Sequence, residues 1–439
     1  MLDKIWQLLK KEKTLLIIIV IMAVLIRLIA LCFVRGGTDS DGYNSIALNI
    51  ATKGEFSYNY PQDEPHIVSG KTGLNNPTSF RAPLYPFFIA IFYFLFGYNY
   101  LIPVIFQIFL SGYLVFLTFQ IGEMVFNKKV GLLSSFLLAF YPTQAAFSFH
   151  INRETLLTLF TLLTVYFLLR FLKDGKRLHL VSSIVALGLG ILTKPVLLLF
   201  VPLTVFWMVL YSKSSKRAFK NIIITILLIT ITILPWTLRN YRLWSDRFVL
   251  ISTIGGFTFC FSDVFFDIPE LGKSQGKSNI EKNYAVLALS SEKNIYTEEY
   301  FINEYKRIIA SLDEVEIDKL FYKNKLMLIK KHPLNFIHHL GYGFWQFFSI
   351  SLYSWKHNIV YGPMLAFFIL GLITVFTKWR LYQEQVMIIL FIFAVYILSS
   401  MVYFSTQRNR IPIEPFMIIF ASHGIGWVVK KIENRCHKR

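Results

Sequence analysis

Charged residues are scarce in this chain. Asp, Glu, Lys and Arg make up 16% of its 439 residues, against about 25% in ordinary soluble proteins. The shortage falls on the acids, with 26 acidic residues to 45 basic ones. In a soluble domain that surplus would suggest nucleic acid. Here the basic residues sit mostly in short loops and tails between apolar runs, which argues for membrane orientation and anionic lipid headgroups, with no nucleic acid as partner. Cysteine is scarcer still. Cys32, Cys260 and Cys436 are far apart and form no CxxC pair, so neither a disulfide framework nor a zinc knuckle is implied. The chain also lacks a Gly-rich phosphate loop, an internal repeat and the paired broken helices of inverted-repeat transporters.

Apolar sequence is abundant. Hydrophobic residues make up 55% of the chain, and runs such as Thr14 to Val34 reach the ~20 residues that span a bilayer. The expected fold class is an all-α multi-pass membrane protein with about ten crossings, at 14–34, 101–126, 130–147, 155–172, 179–194, 196–211, 219–237, 359–376, 385–404 and 411–430. The first run is too long for a signal-peptide core and no small-x-small site follows it, so it is expected to stay as an anchor. Arg27 interrupts it, either snorkelling or facing the bundle interior.

The basic lead-in Met1 to Lys13 and the tail with Lys430, Lys431 and Arg439 place both termini in the cytoplasm of a cell membrane. Two apolar pieces, Pro83 to Phe96 and Pro333 to Ser354, read as interfacial. The first is too short to cross, and the second carries Asn335, His338, His339 and Gln346. Three regions result: 1–237, a membrane module with a first polar loop at 35–81; 238–335, an outer segment of a few short helices; and 336–439, the last spans and the tail. The outer segment holds acidic clusters at Glu298-Glu299 and Asp313-Glu314-Val315-Glu316, and a turn-rich stretch from Gly272 to Lys282 reads as a mobile loop.

The polar loop from Arg35 to Arg81 organises the functional reading. Asp39 and Asp41 stand just beyond the first span. Paired acids at a membrane boundary can serve as a general base, bind a divalent cation, or sit solvated as a turn or helix cap before Tyr43. Under the expected topology Asp39, Asp41, Arg81, Arg153, Glu154, Lys194, Arg239, Arg408 and Arg410 all fall on the outer side. Cations there run against the positive-inside bias and are costly without an anion. A lipid-linked phosphate is such an anion, and the arginine fork suits its oxygens. Each residue also has a plainer reading: Arg153-Glu154 as a local ion pair, Lys194 as an interfacial snorkel, and the arginines as contacts to ordinary headgroups.

The order of these landmarks resembles the membrane glycosyltransferases of the C-type fold, in the branch of protein O-mannosyltransferases and lipid A aminoarabinose transferases. The acid after the first span, four residues before an aromatic and eight before a small residue, is Asp39 with Tyr43 and Ala47. The loop ends in Arg81-Ala82-Pro83-Leu84-Tyr85-Pro86. Glu154, Leu192-Thr193-Lys194-Pro195, Pro235-Trp236-Thr237-Leu238-Arg239-Asn240-Tyr241 and Arg408-Asn409-Arg410-Ile411-Pro412-Ile413-Glu414-Pro415 follow in order. The chain departs from many relatives in having Ser40 after Asp39, with the second acid at Asp41, and Lys194 where Arg is common.

The resemblance implies transfer of a sugar from a polyprenyl-phosphate donor to an acceptor at the outer face, with inversion. It implies Asp39 as general base, with Asp41 and Glu154 orienting the acceptor or sugar or helping Asp39 hold a cation. Arg81, Lys194, Arg239, Arg408 and Arg410 would hold the lipid phosphate, with Tyr43 and Tyr85 against acceptor or sugar. A divalent cation at Asp39 and Asp41 is compatible with the pattern but not required. The partners are the lipid donor, membrane lipids and an acceptor that the residues do not identify. The rival class is a transporter or flippase of a lipid-linked or anionic solute, which calls for charges in both halves of the membrane.

Overall fold

The computed structural model describes residues 12–33, 39, 41–58, 77–212, 214–260, 311–349, 355–403 and 407–436. The basic lead-in before residue 12, the stretch Gly272 to Lys282, the pair Glu298-Glu299 and the last three residues of the tail lie outside them.

In chain order the helices are α1 (Glu12–Phe33), α2 (Tyr43–Lys53), α3 (Leu84–Phe96), α4 (Leu101–Val125), α5 (Lys128–Ala139), α6 (Pro142–Ser148), α7 (Glu154–Asp174), α8 (Arg177–Thr193), α9 (Phe200–Tyr211), α10 (Ser215–Leu243), α11 (Ile254–Cys260), α12 (Glu314–Lys331), α13 (Pro333–Phe348), α14 (Trp355–Thr377), α15 (Trp379–Val402) and α16 (Glu414–Cys436). Short 3-10 turns, Pro195–Leu199 and Gln407–Ile413, lead into α9 and α16.

The chain is a multi-pass membrane protein. Among the described residues seven helices are long and apolar enough to cross a bilayer: α1, α4, α7, α10, α14, α15 and α16 with its leading turn. The pair α5 and α6 adds an eighth if it is one span bent by 56°. The two arms of the hairpin at Lys194, expected as crossings, are shorter apolar helices. α3, with 13 residues, is the short piece expected from its sequence, and α13, with 16, ends at Phe348, short of the 333–354 stretch that was long enough to cross.

Three local outcomes differ from expectation, each for a physical reason. The expected straight span at 130–147 is broken, because Pro142 has no N–H for the carbonyl of Leu138 and begins a new helix at Tyr141-Pro142. Arg27 meets the carbonyls left at the break. It is 1% exposed and its guanidinium donates to the carbonyl oxygens of Ala139 at 2.8 Å and Leu138 at 3.4 Å. Its place is therefore the bundle interior, where it serves the Ala139 carbonyl and shares that of Leu138 with the Tyr141 N–H. Second, α10 does not stop at 237 but runs on to Leu243 with Pro235 inside it, which carries Arg239 and Asn240 on the same rod. Third, the segment 238–335 includes α12, which at 18 residues is not a short helix.

The two halves of the chain pack on one another. α1 lies against α4 and α5, α4 against α7, α7 against α8 and α8 against α10; α16 packs on α14 and also on α5. The α14–α16 contact depends on two glycines. A Cβ on Gly371 would sit 2.0 Å from the carbonyl oxygen of Phe420, and one on Gly424 would sit 2.5 Å from that of Phe367, so only glycine lets these backbones meet. Buried hydroxyls in the helices bond to carbonyls of their own previous turn, as Thr158, Thr161 and Thr164 do in α7. That is how polar side chains are carried inside an apolar bundle.

Candidate active site

Asp39 sits at the head of α2. Gly42 takes φ +70° there, a left-handed turn that L side chains adopt rarely. The turn folds the chain so that one Asp39 oxygen accepts the Asn44 backbone N–H at 2.5 Å and the other accepts the Asp41 N–H at 3.2 Å. Gly42 holds the N-cap position, and Asp39 from three residues earlier bonds a first-turn N–H, which fixes the carboxylate. Burial pushes the Asp39 carboxyl above its ordinary value, with Asp41 adding to the rise and the amides of Asn44, Tyr43 and Asp41 opposing it. A fixed carboxylate of raised basicity has the character of a general base.

Beside it, residues far apart in sequence form one charged cluster. The Arg408 guanidinium reaches three carboxylate oxygens: Asp41 Oδ2 at 2.5 Å, Glu154 Oε1 at 2.5 Å and Glu154 Oε2 at 2.8 Å. The two-oxygen contact with Glu154 is the fork geometry special to arginine. Arg81, 6% exposed, places its Nε 3.1 Å from the Asp41 carbonyl oxygen and a terminal nitrogen 3.8 Å from Asp41 Oδ1. Burial works to raise the Asp41 carboxyl, but Arg81, Arg408 and Arg153 hold it well below the usual carboxylate range. Asp41 is therefore an anionic support for the arginines, and Glu154 grips Arg408 through both its oxygens.

Arg81, Arg408, Asp41 and Glu154 balance one another, and two further cations stand beside them against the single Asp39 carboxylate. Lys194, at the hairpin turn between α8 and its following 3-10 turn, donates from Nζ to Asn409 Oδ1 at 2.9 Å. Burial, with Arg153 and Arg408 close by, lowers its ammonium to about 7, against the pull of Glu154 and Asp41. Arg153 was weighed as a partner of Glu154. The structure gives Glu154 to Arg408 instead, and the buried Arg153 Nε meets no hydrogen-bond partner among the described residues. A site with surplus, partly desolvated positive charge is built to receive an anion.

Other sequence candidates have different duties. Arg239 donates to the carbonyl of Thr78 at 2.7 Å, to Ser79 Oγ at 3.1 Å and to Asn240 Oδ1 at 3.1 Å, with Trp236 under its guanidinium at 4.7 Å. It anchors the end of the polar loop and does not join the Arg408 cluster. Arg410, fully buried, pairs with Glu414 at 3.4 Å, donates to the Phe347 carbonyl at 2.8 Å and lies 3.7 Å over the Tyr361 ring. It ties α13 and α14 to α16, which leaves it unsuited to holding a phosphate. Tyr85 is buried and donates its hydroxyl to Gln107. Tyr43 is 1% exposed, with Arg81 over its ring and Tyr85 edge-on at 4.9 Å. Both tyrosines support the cluster from beneath and offer a ligand no surface.

Sequence reasoning also missed Glu314, which was read only as part of an acidic cluster. Its buried carboxylate accepts Thr78 Oγ1 at 2.6 Å, the Ser79 N–H at 2.9 Å and Thr253 Oγ1 at 2.5 Å. The loop that carries Arg81 is thereby pinned to α12. Nothing in the sequence around Glu314 marks it, since its partners are two short polar residues and an amide from distant segments.

A divalent cation at Asp39 and Asp41 is possible, since the Asp39 oxygens each accept one amide and keep a lone pair. Among the described residues no three His, Cys, Asp or Glu side chains gather as a metal-ligand set.

Residues 80–237 match the family model of dolichyl-phosphate-mannose-protein mannosyltransferase. That stretch holds Arg81, Arg153, Glu154 and Lys194. No curated protein matches the chain. Among solved structures it is similar to the oligosaccharyltransferase AglB from Archaeoglobus fulgidus. In complex with an inhibitory peptide and a dolichol-phosphate, that protein matches with a TM-score of 0.55 at 12% identity over 98% of this chain and 52% of the other. In complex with Zn and sulfate it matches with a TM-score of 0.52 at 13% identity over 96% and 50%. ArnT from Cupriavidus metallidurans, bound to undecaprenyl phosphate, gives a TM-score of 0.43 at 14% identity over 93% and 77%. The chain spans about half the length of the oligosaccharyltransferase. The fold is that of the C-type membrane glycosyltransferases, as the order of landmarks led us to expect.

Proposed function

We propose that this C-type-fold membrane protein is a glycosyltransferase that moves a sugar from a polyprenyl-phosphate donor to an acceptor hydroxyl, with inversion, on the outer face of the cell membrane. One observation carries the reading. A half-buried, amide-fixed carboxylate of raised basicity stands beside a salt-bridged frame flanked by two further cations, Lys194 and Arg153. The lipid phosphates named for the oligosaccharyltransferase and the matched mannosyltransferase family suggest the donor class. The positive-inside distribution of loop charges supports cytoplasmic termini and an outward site.

In this scheme the acceptor oxygen attacks the anomeric carbon while Asp39 takes the hydroxyl proton. The bond between the anomeric carbon and the phosphate oxygen breaks, and its electron pair leaves with the lipid phosphate. Charge growing on that oxygen is met by Lys194 and Arg153, both already in place, so little reorganisation is needed. Asp41 and Glu154 hold Arg408 and Arg81 in register and take no proton. A charge-neutral frame with a cationic edge suits a phosphodiester of single negative charge.

The test uses the purified protein in lipid nanodiscs with a panel of radiolabelled polyprenyl-phosphate sugars. At least one should bind, with binding kept in Asp39→Asn and turnover lost. If no member binds, and vesicles with the protein instead move a lipid-linked or anionic solute without cleavage, the transporter reading replaces this one.

A further inference from the structure

The surroundings of Asp39 are asymmetric. One flank is the cationic cluster. The other is formed by α2, α3 and the Gly97-Tyr98-Asn99-Tyr100 turn, and among the described residues it carries no charge beside Asp39. From Ala82 to Gly122 there is no Asp, Glu, Lys or Arg, and none between Gly42 and Thr52. On this flank the residue whose amide binds Asp39, Asn44, turns its side chain to two tyrosines. Its Oδ1 accepts the Tyr93 hydroxyl and its Nδ2 donates to the Tyr98 hydroxyl at 3.1 Å. The two rings meet edge to face at 5.2 Å.

Tyr93 is buried at 4% exposure, whereas Tyr98 is 59% exposed. Beside it Gly97 leaves open space, since a Cβ there would meet nothing within 4 Å. Each group in this set has hydrogen-bonding capacity to spare. Asn44 keeps a second N–H and an acceptor lone pair, and Tyr98, having accepted from Asn44, keeps its own O–H to donate. An open aromatic face edged by neutral donors and an acceptor complements a ring with an apolar face and several hydroxyls.

We infer that the acceptor is a neutral carbohydrate, laid on the Tyr98 ring and read by Asn44 and the Tyr98 hydroxyl, which present one of its hydroxyls to Asp39. This rests on the glycosyl-transfer reading above. The bond changes are those already given, with the carbohydrate oxygen as nucleophile and its proton passing to Asp39. A charged acceptor would find no counter-ion among the described residues of this flank and would leave its charge poorly solvated. A tyrosine serving only as a membrane-interface anchor would have no need of an amide tied to the turn of the base.

The donor from the panel that binds is offered with either neutral octyl glycosides or an uncharged Ser/Thr peptide as acceptor. Glycosides should be the better acceptors. Tyr98→Ala should raise the glycoside KM about tenfold, with a much smaller change in kcat, and Tyr98→Phe should fall between it and wild type. Thermal unfolding of both variants reports whether the fold is kept, and Asn44→Asp, which adds charge without changing size, gives a second reading of the same subsite. A preference for the peptide, or a glycoside KM indifferent to both Tyr98→Ala and Asn44→Asp, would overturn the inference while leaving glycosyl transfer standing. A protein that binds no donor at all would overturn both.

Discussion

Raising the pH from 6 to 9 should weaken donor binding by about two orders of magnitude, and Lys194→Arg should remove most of that dependence. An ordinary lysine stays charged throughout this range. Burial, together with Arg153 and Arg408, brings Lys194 down to about 7. Above that pH the free site holds a neutral amine, and a monoanionic donor must draw a proton onto it as it binds. Each pH unit above 7 then costs about tenfold in affinity, so long as the bound lysine stays protonated. Between pH 6 and pH 9 the factor is about 90-fold by the same linkage. The donor phosphodiester does not titrate there, so the slope belongs to the protein.

Unfolding works in the opposite direction. A lysine whose folded value lies below its unfolded value takes up more protons when unfolded between about 7 and 10.5, so its contribution to stability rises with pH over that window. Equilibrium binding of radiolabelled donor in nanodiscs measures the slope directly. A flat wild-type Kd from pH 6 to 9, or an equally steep one in Lys194→Arg, would refute the reasoning.

Other expectations follow from the same geometry. Asp39→Asn should lower transfer by about 10²–10⁴-fold while donor Kd holds, and wild-type kcat should fall on the acid side at a pH above that of an ordinary aspartate, because the carboxyl is raised; a pH–rate profile with single-turnover transfer checks both. Arg408→Ala leaves the Asp41 and Glu154 carboxylates without their shared partner and should cost about 3 kcal/mol of stability as well as activity, with Arg408→Lys restoring only part because it lacks the fork; detergent-solubilised thermal unfolding reads the first effect. Arg410→Ala should destabilise by about 3–5 kcal/mol, because Glu414 is left buried and unpaired, and donor Kd measured on the folded fraction should not move. Gly371→Val would force α14 off α16 and should cost at least about 1–3 kcal/mol, visible as a lower unfolding temperature.

What the sequence alone determined is the part of this protein governed by local composition and by the bilayer. Apolar runs too long for anything but a span decide that the chain is a bundle of membrane helices. The shortness of Leu84–Phe96 is equally legible, since length is a property of one segment. The seat of Asp39 at the head of α2 was also within reach, because its partner Asn44 lies five residues away.

Tertiary structure alone decided which charges meet. Arg408 reaches Glu154 across 254 residues and Asp41 across 367, and Glu154 takes that partner over its own neighbour Arg153. Arg239 and Arg410, alike in sequence to the site arginines, go to backbone carbonyls and a buried glutamate because helix packing brings those acceptors to them first. In a medium without water a buried charge takes whatever partner the packing supplies, and packing is set by every helix at once.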